Sequence, residues 1–264
     1  MLSSVMPLHE VNPIATCFSQ AACSYDSAAH LQREVGQQLL QLCPSALAVQ
    51  HWLDLGCGTG YFSQQLAQRY PQAQGCGVDI AQGMLQHAQR LRPYASYLCA
   101  DAQALPLVSN SVDLIFSSMA LQWCDDFAAV LAEAKRVLKP NGIIAFTSVA
   151  EGTLYELKHS WQAVDNQPHI NQFRRFADYQ RLCEASGLKV VHLRCQTLQQ
   201  HFSSVRELSQ NLKQLGAHHV QTGRNNGLTS RQQYMKLSQA YEQQRQPQGL
   251  PVTWQMVYAV LQAV

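Results

Sequence analysis

Apolar positions recur at mixed three- and four-residue spacing from residue 14 to 42. Phe18, Ala22, Tyr25, Ala29, Val35, Leu39 and Leu42 carry the pattern, as one helix face or two successive faces require. Pro44 and Ser45 end it. From residue 50 the pattern changes to short apolar runs alternating with helical periodicity. His51–Leu55 reads as a strand running straight into a cluster of glycines, and 59–70 as a helix stopped by Pro71. A strand at 75–79, a helix at 84–91 and a short strand at 97–99 follow. Residues 112–117 form a continuous apolar run, of the kind buried on both faces of a sheet. An amphipathic helix at 127–138 closes on Pro140, Asn141 and Gly142, and 142–148 reads as a fifth strand. Strands separated by helical crossovers imply a parallel sheet with helices on both faces.

The remainder is less regular. Helical patterns cover 153–164, 175–185, 203–215 and 229–244, and 188–197 is strand-like. In 251–261, Val252, Trp254, Met256, Tyr258 and Val260 alternate strictly, as in a half-buried strand. Two further strands would complete a larger sheet, leaving the helices between them above its carboxyl edge. The expected fold is therefore α/β, a Rossmann-like doubly wound sheet of seven mostly parallel strands with a helical cap. One domain would cover 1–264, with an N-terminal helical lid at 1–45 and a ligand-binding core at 46–150. Cap segments would fall at 151–174 and 203–248, and completing strands at 186–202 and 249–264.

Composition narrows the classes of function. Apolar types make up 47% of the 264 residues and charged types only 14%, against roughly 25% in an average soluble protein. Nineteen basic residues against seventeen acidic ones leave a net charge of +2, too balanced for a protein that binds nucleic acid by neutralising phosphates. No run approaches the roughly eighteen apolar residues of a membrane span, and no basic segment followed by an apolar core marks a secretory signal near residue 1. The nine cysteines form no CxxC pair and mostly sit in apolar stretches, where a thiol behaves as a small buried hydrophobe. A reducing, cytoplasmic setting is expected, without disulfides or a bound metal.

The chemistry-bearing segment is Asp54-Leu55-Gly56-Cys57-Gly58-Thr59-Gly60-Tyr61. A buried strand ending in glycines lets the backbone turn sharply and approach a ligand without side-chain obstruction. The helix that begins there offers free N–H groups to a polar ligand. A dinucleotide site would want a third glycine where Tyr61 stands. Asp54, two residues before the first glycine, would repel a pyrophosphate and suits a cationic amino-acid ligand, so a nicotinamide oxidoreductase is disfavoured.

Asp54-x-Gly56-x-Gly58-x-Gly60 resembles the first motif of class I S-adenosylmethionine-dependent methyltransferases. In that family the glycine loop lies against the methionine moiety and the acid helps hold its ammonium end. By the same resemblance, Asp79 would take the two ribose hydroxyls, Ile80 and Met84 would pack on the adenine, and Asp101 and Ala102 would meet its amino edge. Ser117 would face cofactor and substrate. These positions lie at the carboxyl ends of successive expected strands, where open α/β sheets bind ligands.

A closer resemblance covers most of the chain. Phe18-x6-Tyr25-Asp26, Asn110-Ser111-Val112-Asp113-Leu114, Leu121-Gln122-Trp123-Cys124 and Glu133-x2-Arg136-Val137-Leu138-Lys139-Pro140-Asn141-Gly142 are similar to the malonyl-acyl-carrier-protein O-methyltransferases of biotin synthesis. So are Trp161-Gln162-Ala163-Val164-Asp165 with Pro168-His169, and Leu215-Gly216-Ala217 with Gly223-Arg224. One departure is Arg174-Arg175-Phe176, more basic than the family pattern and without its proline. The resemblance implies methylation of the free carboxylate of a malonyl thioester, carried by acyl carrier protein or coenzyme A. It implies no nucleic-acid or membrane partner. Tyr25 would stand near the reacting methyl, Arg224 would recognise the substrate, and Phe173 and Trp123 would wall its pocket. Lys213, Arg206, Arg231, Lys236, Arg174 and Arg175 are candidate contacts for an acidic carrier. A methyltransferase of another small carboxylate or a quinone precursor, or a silent binder of the same cofactor, remains an alternative at the level of sequence.

Overall fold

The computed structural model describes residues 12–44, 47–217 and 230–264. Helices α1 (Pro13–Ala28) and α2 (His30–Leu42) come first. The break between them falls at Ala29, whose backbone leaves the helical region at φ −84°, ψ 37°. Asn12 caps α1 by accepting from the Ile14 and Ala15 amides, with Pro13 in its first turn, a position where the missing N–H costs nothing.

The core then alternates β1 (His51–Leu55), α3 (Tyr61–Arg69), β2 (Gln74–Asp79), α4 (Gln82–Leu91), β3 (Ser96–Cys99) and β4 (Val112–Ser118). A short helical turn at Leu121–Trp123 leads to α5 (Phe127–Val137) and β5 (Leu138–Val149). After these come α6 (Tyr155–Gln162), α7 (Phe176–Ala185), β6 (Lys189–Phe202), α8 (Val205–Gln214), α9 (Arg231–Glu242) and β7 (Leu250–Gln262).

The strands form one seven-stranded sheet in the order β3-β2-β1-β4-β5-β7-β6. The ladders from β3 to β5 are parallel, and β7 runs antiparallel to both of its neighbours. The chain order reverses beside β1, so the connections leaving β1 and β4 pass to opposite faces of the sheet and open a crevice at their carboxyl ends. Apolar clusters fill both faces of the sheet. One is built on Trp52, Phe116 and Tyr258 under α2, the other on Ile115, Phe127 and Phe146 under α5. β5 starts earlier than the expected strand at 142. Leu138 pairs with Val112 and Ile143 with Leu114, so Lys139–Gly142 bulges from the ladder. Asn141 sits at φ 65° in that bulge, which places Pro140 where no ladder hydrogen bond is needed.

Candidate active site

The carboxyl ends of β1, β2, β3 and β4 meet around one cleft. The backbone of Gly56 leaves β1 at φ +72° and donates to the Val78 carbonyl at 2.7 Å, holding the glycine loop against β2. A Cβ at Gly56 would lie 2.2 Å from that of Ala120, whereas one at Gly58 meets nothing within 4 Å. Gly56 is thus demanded by packing, whereas Gly58 faces open space and is favoured by its φ of +53°. Gly60 lies outside the cleft wall. It precedes α3, and a Cβ there would come within 2.6 Å of the Tyr97 hydroxyl.

Asp79 ends β2 with both oxygens engaged. Oδ2 accepts from the Gly58 amide and Oδ1 from the Ala81 amide, each at 2.8 Å. Each oxygen retains a lone pair, the arrangement that suits two neighbouring hydroxyls. Burial raises its carboxyl above the usual range, against the opposing pull of the Ala81, Gly58 and Ile80 amides. Ile80, Met84, Asp101 and Ala102 line the same cleft. Asp101 is oriented by the Gln103 amide at 2.8 Å and by that residue's side chain.

Besides Gly60, two positions differ from the expectation. Asp54 does not line the main cleft but a smaller cavity adjoining it at Tyr25, Gly56, Gly58 and Ser118, together with Asp26 and Arg33. It is 2% exposed and accepts from the Ser63 hydroxyl at 2.6 Å, and burial lifts its carboxyl to about 7. Ser117 is wholly buried and donates to the Leu55 carbonyl at 2.7 Å. The following Ser118, Met119 and Ala120 line the cleft in its place. Successive residues of a strand face opposite sides, so one step along β4 exchanges a sheet-facing serine for a cleft-facing one.

Helix α1 closes the cleft from above through Asn12, Ile14, Phe18 and Tyr25. The Ser19 hydroxyl accepts from the Gly83 amide at 3.1 Å, and a Cβ at Gly83 would lie 2.7 Å from that of Ser19. Asp26 accepts from the Thr59 hydroxyl at 2.7 Å and pairs with Arg92 at 2.6 Å, while Arg92 also donates to the Thr59 carbonyl. The helix is therefore pinned to the glycine loop and to the end of α4. Nothing in the motif Phe18-x6-Tyr25-Asp26 assigns Asp26 this task; its place beside Tyr25 is the one local signal for it. Burial, with Asp79 and Asp26 nearby, pushes the Tyr25 phenol above its ordinary range, which keeps it a hydrogen-bond donor.

Beyond Tyr25 lies a larger chamber of about 540 Å³, against about 190 Å³ for the cleft. Phe18, Tyr25, Met119 and Trp123 border both, and Phe18 meets Trp123 edge to face at 5.3 Å. Phe173, Leu157, Leu212 and Trp254 make the chamber largely apolar. Cys124 lines the cleft beside Trp123, and burial pushes its thiol up to about 12.

The arginines divide. Arg174 donates to the Cys124 and Asp125 carbonyls and covers the Phe127 ring, and Arg175 pairs with Asp178. Neither lines the chamber, so neither is available to a substrate carboxylate there. Lys213 does line it. Arg224 lies outside the described residues. Sequence reading also missed Met119, Gln32 and His169, all in the chamber wall. His169 stood in a quoted motif, but nothing local marks Gln32.

The cleft fits S-adenosylmethionine on its own geometry. Gly58 leaves open the space a Cβ would fill, Asp79 offers two lone pairs to a diol, and Ile80, 37% exposed, provides an apolar flank.

Comparison with known proteins agrees. Residues 53–146 match the family model described as a methyltransferase domain. The malonyl-[acyl-carrier protein] O-methyltransferase of Hamiltonella defensa is 41% identical over 99% of both chains. The biotin biosynthesis bifunctional protein BioHC of Cellvibrio japonicus is 43% identical over 94% of this chain, which spans only 49% of that protein. Among solved structures, a putative Haloferax volcanii methyltransferase in complex with the activator Trm112 superposes with a TM-score of 0.60 at 20% identity, covering 95% of this chain and 97% of that one. That likeness carries the fold.

Proposed function

From the chain's membership of the malonyl-[acyl-carrier protein] O-methyltransferase family, we propose that it methylates the free carboxylate of a malonyl thioester at the mouth where cleft and chamber meet. The observation that carries this reading is that Phe18, Tyr25, Met119 and Trp123 border both spaces. A cofactor in one is thereby brought end to end with an acyl group in the other. When bound, S-adenosylmethionine would supply an electrophilic sulfonium methyl to the carboxylate oxygen, leaving the methyl ester and S-adenosylhomocysteine.

Asp79 is assigned to the ribose hydroxyls, Gly56 and Gly58 to the backbone against the methionine moiety, and Ile80 and Met84 to the adenine faces. Asp101 and Ala102 are assigned to the adenine edge. Asp54 acts on the ammonium end from behind the glycine loop. A malonyl carboxylate is already ionised at neutral pH, so the reaction needs no general base, and a protonated Tyr25 is consistent with that. Catalysis then rests on alignment, which supplies about 7–11 kcal/mol when reacting atoms are held in line. Closure of α1, pinned through Asp26 and Ser19, provides that alignment and excludes water. A bidentate cation clamped on both carboxylate oxygens would favour the ground state, in which the charge is full, over the transition state, in which it is vanishing. A chamber mouth bordered by a phenol, a thioether and two aromatic rings avoids that penalty, and the rings also favour the sulfonium. Phe173 and Trp123 wall the acyl site, and Arg224 is assigned to the acyl substrate on the resemblance alone.

Intact-mass spectrometry tests the reading. Malonyl-loaded carrier protein incubated with the protein and S-adenosylmethionine should gain one methylene, while unloaded and acetyl-loaded carrier should not. No gain on the malonyl form, with cofactor bound in the same sample, overturns it.

A further inference from the structure

A thioester arm must enter the chamber from solvent, and the exposure of the wall residues marks where. Of the described residues that line the chamber, Ser209 and Lys213 alone are exposed. Both lie on α8, four residues apart, so they stand on one face of that helix. This face of α8 forms the rim. Lys213 is also the only lysine or arginine in the wall among the described residues.

The pattern of α8 makes its outer face basic. Val205 and Leu208 are buried, and Leu212 packs against the core cluster. Arg206, Ser209, Gln210 and Lys213 are exposed, and their spacing of i, i+3, i+4 and i+7 sets them in one stripe about 10 Å long. The one acid of the helix, Glu207, is folded back on the helix start, where it accepts from the Ser203 amide at 2.7 Å and the Ser203 hydroxyl at 2.6 Å. Arg206 and Lys213 make no ion pair with a described residue. Two unneutralised cations therefore run from the lip of the chamber outward, on a chain in which only 14% of residues are charged.

The other basic candidates do not share this position. Arg174 is held by the Cys124 and Asp125 carbonyls and Arg175 by the Asp178 carboxylate. Arg231 and Lys236 lie on α9, none of whose residues lines the chamber. The stripe itself stands at a fixed place against α1. The Ser24 hydroxyl donates to the Gln214 carbonyl at 3.1 Å, and the Asn211 side chain donates to the Ala28 carbonyl at 3.3 Å.

We infer that the outer face of α8 is the docking edge for the acyl carrier protein, with Lys213 at the chamber mouth and Arg206 meeting an acidic surface of the carrier beyond it. Two requirements select this occupant. It must deliver a thioester arm over the α8 rim, and its surface must be negative there to match the two cations. The inference rests on the reading of the protein as a malonyl-carrier methyltransferase. Rim charges act on encounter and its salt dependence more than on buried contacts, so this face should set KM for the carrier and leave methyl transfer alone.

Arg206→Glu tests it, because Arg206 is exposed and lies outside the chamber wall. For malonyl-loaded carrier, kcat/KM should fall about tenfold, through KM, and the gap from wild type should narrow as salt is raised. Arg206→Gln should move KM the same way by less. The malonyl thioester of N-acetylcysteamine, which has no carrier, should be methylated by Arg206→Glu as by wild type. Arg175→Glu makes the same change of charge outside the chamber wall and should leave KM for the carrier unchanged. An unaltered KM for the carrier in Arg206→Glu, an equal loss on the small thioester, or an equal loss in Arg175→Glu overturns the inference. So does an equal loss with malonyl-coenzyme A, since the stripe would then read the phosphate common to both arms and not the carrier's surface. Methylation of malonyl-loaded carrier by the wild-type protein is read in parallel, and its absence overturns the functional reading itself.

Discussion

The cofactor cleft and the acyl chamber share four residues and are built on opposite plans. The cleft is made by the chain within a short span, from the ends of neighbouring strands. Its main elements are backbone amides, glycines and carboxylates, and Asp79 binds the loop of Gly58 before it binds anything else. The chamber is assembled from α1, α2, α6, α8, the loop holding His169 and Phe173, and Trp254 on β7. Its wall is mostly side chain. A site made of backbone and strand ends can bind one cofactor across many relatives, while a wall of side chains can be altered to suit an acceptor without disturbing the sheet.

If that division holds, cleft variants should change cofactor affinity and leave the acyl substrate's KM alone, and chamber variants should do the reverse. Asp79→Ala should have the largest effect. It removes the acceptor for two hydroxyls and frees the Gly58 loop, a loss of about 3 kcal/mol or more. Cofactor affinity by calorimetry should fall at least hundredfold. Unchanged affinity would remove Asp79 from the cofactor site.

The glycine loop allows a finer separation. Gly58→Ala sets a methyl in open space at φ +53°, a backbone strain of about 1 kcal/mol, so it should weaken cofactor binding about tenfold and lower the melting temperature little. Gly56→Ala drives a methyl to 2.2 Å from Ala120 and should chiefly cost stability, seen as a larger fall in melting temperature by calorimetry. Equal losses of stability would show that Gly58 is also demanded by packing.

At the shared border, Tyr25→Phe should keep cofactor affinity and lower turnover about tenfold, equivalent to about 1.4 kcal/mol of transition-state stabilisation. A loss of cooperative unfolding, with turnover per folded molecule unchanged, would make Tyr25 a packing residue only.

The same division separates what is legible in the sequence from what is not. The parallel core and the glycine loop were legible because their signals are local: apolar runs of strand length, glycines at fixed spacing, acids at strand ends. The strand β7 was legible in the strict alternation of Val252 to Val260, but its direction was not, and the half-burial that alternation implies is absent: set between β5 and β6, β7 is buried on both faces. Ser117 was misplaced by one residue because its neighbour Ser118 is chemically the same and only the pairing register decides which faces the cleft. The break at Ala29 carries no glycine or proline, so nothing local announces it. The chamber was scarcely legible, since Gln32, His169 and Trp254 come together only through tertiary packing. Asp54 shows a different limit, in that its place in the motif was plain but its burial behind the loop was not.

That burial has a consequence for how stability and cofactor affinity depend on pH. Asp54 has a folded pKa raised to about 7 by burial, with Asp79 adding to it, against about 3.9 for an unfolded aspartate. Between these values the folded protein holds a proton that the unfolded chain has released, so folding stability falls as pH rises through this window and levels off above it. The slope from this residue is at most about 1.4 kcal/mol per pH unit. Asp54→Asn removes the titration, so the melting temperature of the variant relative to wild type should climb from pH 5 to pH 7 and then stay level. The cofactor's ammonium would oppose the wild-type decline by favouring the charged carboxylate, and its affinity should rise over the same interval in the wild-type protein but not in Asp54→Asn. A pH-independent difference in melting temperature would mean that Asp54 is ionised throughout, and the ammonium contact would then be lost from the account of why affinity depends on pH.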